Sequence, residues 1–326
     1  REGRTDLATS ALEKRLAVTD AVGAVRATLL ARLADALASS GRAAEAVAKR
    51  LLALAAAPDD AVLFRRSRTD AKELGLTDAF VKAIVAIRAD ASVPLERRDA
   101  LGLELVDVLA EDKQDLDGAA RVARELSGST HDGTRRVASV MLARLERQRG
   151  NDDAEREAHI AVLELGDLPQ ATLVSTTLRL AEIELSSDSL RAVGLARLRD
   201  ALGQGVEPKR VASLLVSSVD KDGVDSEPFR LYDEVARASG DAALTYDVAE
   251  RRASAPTATT ATLRVAVDRA LALGHTARAI AFLERIAART EDIETALAAM
   301  RELITMHGAA GDVKGAIEVL TLAKSI

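Results

Sequence analysis

Cysteine is absent from this chain of 326 residues, which excludes disulfides, thiolate metal sites and cysteine nucleophiles. Aromatic residues make up only 2% of it, so the stacking side chains used by many RNA-binding proteins are scarce. No apolar run reaches the roughly 18 residues of a membrane span. A formal net charge of -6 argues further against nucleic acid and anionic lipid as ligands. We therefore expect neither a nucleic-acid partner nor membrane insertion.

The chain also lacks the motifs that would indicate catalysis or a bound cofactor. Its four histidines are scattered, and none has the i, i+4 spacing of a helical metal pair. Gly203-Gln204-Gly205 has neither the third glycine nor the lysine of a phosphate-binding loop. Asp220-Lys221-Asp222-Gly223 is similar to the middle of a calcium loop, but Phe229 stands where the closing acid should be. We expect no enzymatic activity, no metal and no cofactor.

What the chain does contain is a regular spacing of glycines between apolar segments. Gly41 and Gly75 are 34 residues apart, Gly240 and Gly274 are again 34 apart, and Gly311 follows after 37. That interval is typical of stacked antiparallel helix pairs, because each pair has an apolar face that only the next pair covers. Since 48% of the residues are hydrophobic, the chain has ample material for such a core. The spacing predicts an α-solenoid.

Apolar residues recur with helical period almost everywhere, which predicts an all-α fold of about eighteen helices. Helix starts are indicated by Thr77-Asp78, Ser226-Glu227-Pro228 and Thr290-Glu291-Asp292. Two helices, at 5–17 and 209–219, have no partner in the pairing. The predicted pairs are 20–40 with 43–56, 60–74 with 77–90, 94–112 with 115–127, 133–149 with 152–165, 169–186 with 189–203, 226–239 with 242–254, 259–273 with 276–289, and 292–308 with 312–325.

The unpaired helix at 209–219 divides the predicted array. A surplus helix interrupts the alternation of inner and outer helices, so we expect an N-terminal block at 1–204, an irregular seam at 205–225 and a C-terminal block at 226–326. The chain opens with Arg1 rather than methionine and ends inside a helical pattern. We therefore expect it to be a piece of a longer protein. The compartment stays open.

Within the predicted pairs, the residue types resemble the tetratricopeptide repeat. The strongest unit departs from that family's pattern at one position, where Arg50 replaces a bulky apolar residue on the second helix. The resemblance implies a right-handed superhelix whose first helices line a concave groove. Residues at the family's offsets in this unit are Leu30, Leu33, Ala34, Leu37, Gly41, Ala46, Ala53 and Pro58.

The resemblance also places several arginines on or near the inner face of the array. Arginine binds carboxylates and phosphates through paired hydrogen bonds, which suits recognition of an acidic segment. The alternative is that these arginines are ordinary surface residues whose charge is balanced by neighbours such as Asp35 and Glu302. The predicted partner-binding residues are Arg32, Asp35, Arg144, Arg147, Arg179, Arg264 and Arg301.

These features favour a non-enzymatic scaffold that binds a partner peptide or helix, or another part of its own parent chain, in the groove. An acidic protein or peptide is the expected partner. One alternative is the regulatory or sensor arm of a larger enzyme whose catalytic domain lies elsewhere in the parent chain. Another is an RNA-binding helical repeat, which the acidic composition and the scarcity of aromatics disfavour.

Overall fold

The computed structural model describes residues 2–18, 22–289 and 292–324, with side chains from residue 7 onward. This part of the chain contains eighteen α-helices, one short π-helical segment and no strand. The helices are α1 Glu2–Val18, α2 Gly23–Ser39, α3 Ala43–Ala56, α4 Ala61–Glu73, α5 Thr77–Ala89, α6 Leu95–Asp107, α7 Leu116–Leu126, α8 Asp132–Arg149, α9 Asp152–Glu164, α10 Gln170–Ser186, α11 Arg191–Gly203, α12 Pro208–Asp222, α13 Glu227–Ser239, α14 Ala242–Ser254, α15 Thr260–Ala272, α16 Thr276–Ala287, α17 Ile293–Ala309 and α18 Val313–Ala323.

The predicted all-α class and the number of helices are confirmed, and consecutive helices pack on one another as expected for helix pairs. Ser226 caps α13, its hydroxyl accepting a hydrogen bond from the Phe229 amide at 3.3 Å. Thr77 is the first residue of α5 rather than its cap. The predicted start signal at Thr290-Glu291 lies outside the described residues, but Asp292 caps α17 by accepting from the Thr295 amide. The handedness of the superhelix stays a prediction.

Helix ends follow the glycine signal. Gly150 and Gly240 each stand directly after a helix with φ of 69° and 63°, in the left-handed region where a side chain would be strained. This conformation returns the chain so that the next helix can pack against the previous one. Gly240, one of the regularly spaced glycines, therefore marks a real helix end, and Gly150 ends α8 in the same way.

The last five residues of the predicted helix 94–112 form the π-helical segment Val108–Asp112 instead of continuing α6. The Asp112 carboxylate at its end is only 1% exposed and accepts from Arg68 Nε and Lys72 Nζ, each at 2.6 Å. These bonds join the segment to α4. The wider π-helical turn therefore ends at Asp112, whose side chain is bonded to α4.

The chain divides into two compact units, residues 1–176 and 177–326, with the boundary inside α10. In the first unit, α2 to α9 surround a continuous apolar core that includes Ile84, Leu101 and Leu105. In the second unit, a core formed by α14 to α17 includes Leu263 and Leu283. Each unit therefore has apolar side chains enclosed between successive helices.

The predicted seam at 205–225 lies inside the second unit. Its helix, α12, runs to Asp222 and packs along α13. The helix extends three residues beyond the predicted end at residue 219. In this added segment, Arg251 pairs with Asp220, and Arg191 pairs with Asp222 at 3.1 Å, so both carboxylates are held against neighbouring helices. Weak coupling at this position, and the two blocks on either side of it, stay predictions.

Candidate functional site

A cleft of about 410 Å³ opens on the second unit between α13, α14 and α15. Alanine and valine side chains make its apolar part, and three arginines with one aspartate supply its charge. The apolar residues are Ala236, Val248, Ala249, Ala261 and Val265, and the polar ones are Asp233, Arg237, Thr245, Arg252, Thr262 and Arg269.

Helical spacing explains why these side chains meet. On α13, Phe229, Asp233 and Arg237 follow one another at four-residue intervals and therefore share a face, along which Phe229 and Asp233 are buried and Arg237 is exposed. On α14, the lining residues from Thr245 to Arg252 follow the i, i+3, i+4, i+7 pattern, and the lining residues of α15 are similarly spaced. Each helix thus turns one stripe toward the cleft and another toward the core.

Asp233 is the central charged group of the cleft. Its residue is only 5% exposed, and its carboxylate accepts bonds from two arginines. Arg237 donates through Nε at 3.2 Å and through Nη2, and Arg252 donates through Nη2 at 2.7 Å. The hydrogen bond to Asp233 raises the pKa of Arg237 above its ordinary value. Because a buried carboxylate is costly without such partners, Asp233 fixes where both guanidinium groups lie.

The three arginines differ in how firmly they are held. Arg252 also lies over the Phe229 ring, with its central carbon 5.5 Å from the ring centre. Arg269, on α15, is exposed, and no carboxylate of the described residues lies within 4.0 Å of it. Two guanidinium groups therefore share the one carboxylate and the third has none, which leaves more positive than negative groups beside an apolar surface. Such an arrangement can bind an anionic group next to an apolar one.

The predicted site residues of the first unit lie in two separate places. Asp35 bonds to Arg50 at 2.8 Å and to Arg66 at 2.7 Å, so it belongs to an ion-pair cluster. Arg32 is exposed on the same helix, α2. Arg144 and Arg147 are exposed on α8, and no described hydrogen bond or ion pair joins them to α2.

In the second unit, two of the three predicted arginines are paired with carboxylates. Arg179 bonds to Glu182 on its own helix at 2.7 Å. Arg264, on α15, bonds to Glu302 on α17 at 2.7 Å and lies 3.4 Å from Asp268. Arg301 is exposed beside Glu302 on α17, so it and Arg264 lie on neighbouring helices. Their role in partner binding stays a prediction.

The first unit has a much smaller cavity of about 30 Å³, next to Arg144 and the π-helical segment. Burial raises the pKa of Asp107 there, the charge of Glu111 raises it further, and Arg68 and Arg144 oppose both effects. The charge of Arg144 therefore acts on Asp107 without a direct ion pair, beside a space too small for a peptide side chain.

Sequence reasoning missed Arg237, Arg252 and Arg269. Arg252 is on a second helix, whereas Arg237 and Arg269 are on first helices but at positions that the repeat resemblance did not single out. The available signal was the repetition of arginine or aspartate beside alanine and valine at i, i+3 and i+4 on three consecutive helices. That pattern gives amphipathic stripes in which arginine borders small apolar residues.

No family model matches the chain, and no curated protein matches it. Similar solved structures include one of Naa15/Naa10 bound to HypK-THB, with 13% identity, covering 99% of this chain and 56% of that chain, and a TM-score of 0.30. The human IFIT1 dimer with PPP-AAAA has 14% identity over 98% of this chain and 72% of that chain, with a TM-score of 0.31. A circular tandem repeat protein with a novel repeat topology has 14% identity over 92% of this chain and 75% of that chain, with a TM-score of 0.23. At these scores the similarities carry no argument about function.

Among the described residues, no helix has the length and apolar character needed to cross a membrane.

Proposed function

We propose that this chain is a non-enzymatic protein-interaction scaffold that holds a segment of a partner protein against its helices. The observation that supports it best is the cleft between α13, α14 and α15, where an apolar surface borders an excess of positive charge. Peptide sites combine these two features, because apolar burial gives affinity and a few placed polar groups give orientation.

The predicted arginines of the second unit also belong to this proposal. Arg301 is exposed, and Arg264 keeps part of its guanidinium open to solvent while it bonds to Glu302. An acidic partner would compete with Glu302 for Arg264, so its contribution there is smaller than that of an arginine without a carboxylate. A fold does not identify a binding partner, so the kind of partner is argued from the chemistry of the cleft.

Selection from a displayed random peptide library, with the whole chain as bait, tests the proposal. We expect related peptides to be enriched, to bind the chain in solution by fluorescence anisotropy, and to return with unchanged mass after prolonged incubation. An unrelated helical-repeat protein carried through the same selection is the control for non-specific adsorption. Enrichment no greater than in that control would overturn the scaffold proposal, and a changed peptide mass would overturn its non-enzymatic part.

A further inference from the structure

We infer that the cleft of the second unit recognises an acidic side chain that lies beside an apolar side chain within a partner peptide, with Arg269 making the leading contact to the carboxylate. The inference rests on the proposed scaffold function and names the ligand class of its site. Arg237 and Arg252 complete the subsite that binds the anion, and Asp233 is a positioning residue that acts through them.

The charge of the cleft supports a carboxylate ligand. Asp233 accepts from Nε and one terminal nitrogen of Arg237 and from one terminal nitrogen of Arg252, and a guanidinium has more N–H donors than these bonds use. Arg269 has no carboxylate of the described residues within 4.0 Å. A peptide carboxylate would therefore meet donors that no internal acid occupies. Arginine's planar arrangement of donors allows paired bonds to such a group.

The apolar part of the cleft indicates what flanks the carboxylate. Val265 is 51% exposed although it sits among arginines, and the neighbouring Ala236 and Ala249 are small. A leucine, isoleucine or valine of the partner would cover Val265 and occupy the room that the alanines leave. Removing this apolar surface from water would strengthen binding.

A single acidic side chain fits better than a polyanion. Among the residues that line the cleft, three arginines accompany one aspartate, and the charge of Glu234 also acts on Arg237, so the cleft offers few positive charges, whereas the whole chain carries a net charge of -6. Nucleic acid gains most of its affinity from several phosphate contacts at once and is repelled by the remaining negative charge. The cleft also follows α14 from Thr245 to Arg252, about two helical turns, which gives length for a passing peptide segment.

The test uses fluorescein-labelled, N-acetylated and C-amidated peptides in which leucines flank one variable residue, which is Glu, Gln or Lys, within an otherwise uncharged segment. We expect the Glu series to bind the whole chain and the Gln series to bind at least about tenfold more weakly, since charge-assisted bonds are roughly twice as strong as neutral ones. Arg269→Glu should remove the preference for Glu. Arg269→Lys should keep part of it, because lysine keeps the charge but loses the paired geometry.

Arg210 provides the matched control. It is exposed on α12 in the same unit, lines none of the cleft, and has no carboxylate of the described residues within 4.0 Å. Arg210→Glu makes the same change of charge and should leave the Glu preference intact. Circular dichroism of all variants separates lost binding from lost folding.

Several results would overturn the inference while leaving the scaffold proposal standing. Peptides from the library selection that bind Arg269→Glu as well as the wild type would place their site elsewhere. Equal binding of the Glu and Gln series would mean that the cleft does not recognise the carboxylate. If a Gln-series peptide with a free C-terminal carboxylate binds as tightly as the amidated Glu peptide, the ligand is the carboxyl end of a chain. If a single-stranded RNA displaces the Glu peptide, the cleft is a site for polyanions. Failure of the library selection itself would instead count against the scaffold function.

Discussion

Buried charge is used differently at two places, one in each unit. In the first unit, Arg50 is 3% exposed and pairs with Asp35 and Asp70, and Glu146, with no exposed surface, accepts from Arg124 at 2.5 Å. In the second unit, Asp233 is buried in the same way, yet the arginines that bond to it also line an open cleft. Arg50 and Glu146 join neighbouring helices through their ion pairs, whereas the arginines around Asp233 keep unused N–H donors, which the proposed recognition requires.

Cavity size reinforces this contrast. Beside Arg144 the first unit leaves only about 30 Å³, and the carboxylates of Asp107 and Glu111 line the same space. The second unit leaves about 410 Å³ around its arginines. Repeated helix pairs of one general design thus leave a small, carboxylate-lined space beside Arg144 in one unit and a larger space lined by more arginines than acids in the other.

Removing Arg50 should produce the largest loss of stability. Arg50→Ala leaves Asp70 without its partner and creates a cavity where a long side chain packed. Together these changes should lower the free energy of unfolding in denaturant by about 2 to 4 kcal/mol. The cost stays below that of a fully buried pair because Asp35 and Asp70 are themselves 47% and 26% exposed. Arg50→Met refills the space and should recover about half of the loss. Equal losses for both variants would assign the effect to charge alone.

A pair of glycines tests how closely the helices approach in each unit. A methyl group on Gly194 of α11 would lie 3.0 Å from the Leu185 amide nitrogen and 3.1 Å from the Ala181 carbonyl oxygen, both backbone atoms of α10. Gly194→Ala should therefore force the helices apart and cost about 1 to 3 kcal/mol. On Gly102 of α6 the nearest atoms, at 2.9 and 3.0 Å, are the ends of the Leu126 and Arg88 side chains.

Since those side chains can move, Gly102→Ala should cost less than Gly194→Ala, and the better helix propensity of alanine should offset part of the cost by up to about 1 kcal/mol. Urea unfolding of the two variants measures the difference. A larger loss at Gly102 would mean that the first unit is the more rigidly packed of the two.

Two acids near the π-helical segment should affect stability in opposite directions. Burial by itself would raise the pKa of Asp112, but bonds from Arg68 and Lys72 outweigh it, so the pKa is lowered. Its stabilising effect is present above the unfolded pKa of about 4 and is lost as the pH falls through the lower, folded value. Asp112→Asn should therefore cost about 1.5 to 3 kcal/mol at pH 7, and the cost should shrink on acidification.

Asp107 has a raised pKa because it is buried, so its charged form destabilises the folded state above the folded pKa. That penalty disappears as the pH falls from the folded pKa toward the unfolded one. Asp107→Asn should be slightly more stable than the wild type at pH 7, and this advantage should vanish on acidification. Urea unfolding at several pH values measures both variants. Effects of the same sign would contradict the charge distribution of this region.

Helix positions could be predicted from sequence because periodicity and end signals are local. The range 43–56 predicted for α3 is the range observed, and Gly150 and Gly240 end their helices as expected. The packing of α12 along α13 depends on contacts between helices, which periodicity does not report. Arg50 was recognised as a departure from the repeat pattern, but its partner Asp70 lies on another helix, so its burial was not predictable. The cleft was missed for the same reason, because three helices contribute to it.

The smallest expected effects separate exposed arginines of the two units. Arg264→Glu places a new carboxylate near Glu302 and Asp268, so it should cost up to about 1 kcal/mol, the range of exposed pairs, and added salt should reduce the cost. Arg144 has no carboxylate of the described residues within 4.0 Å, and Arg144→Glu should cost less than Arg264→Glu. Because the two arginines share no partner, the double variant should show the sum of the single effects. The melting temperatures of the three variants measure this order, and a double loss well above the sum would mean that the two arginines belong to one coupled network.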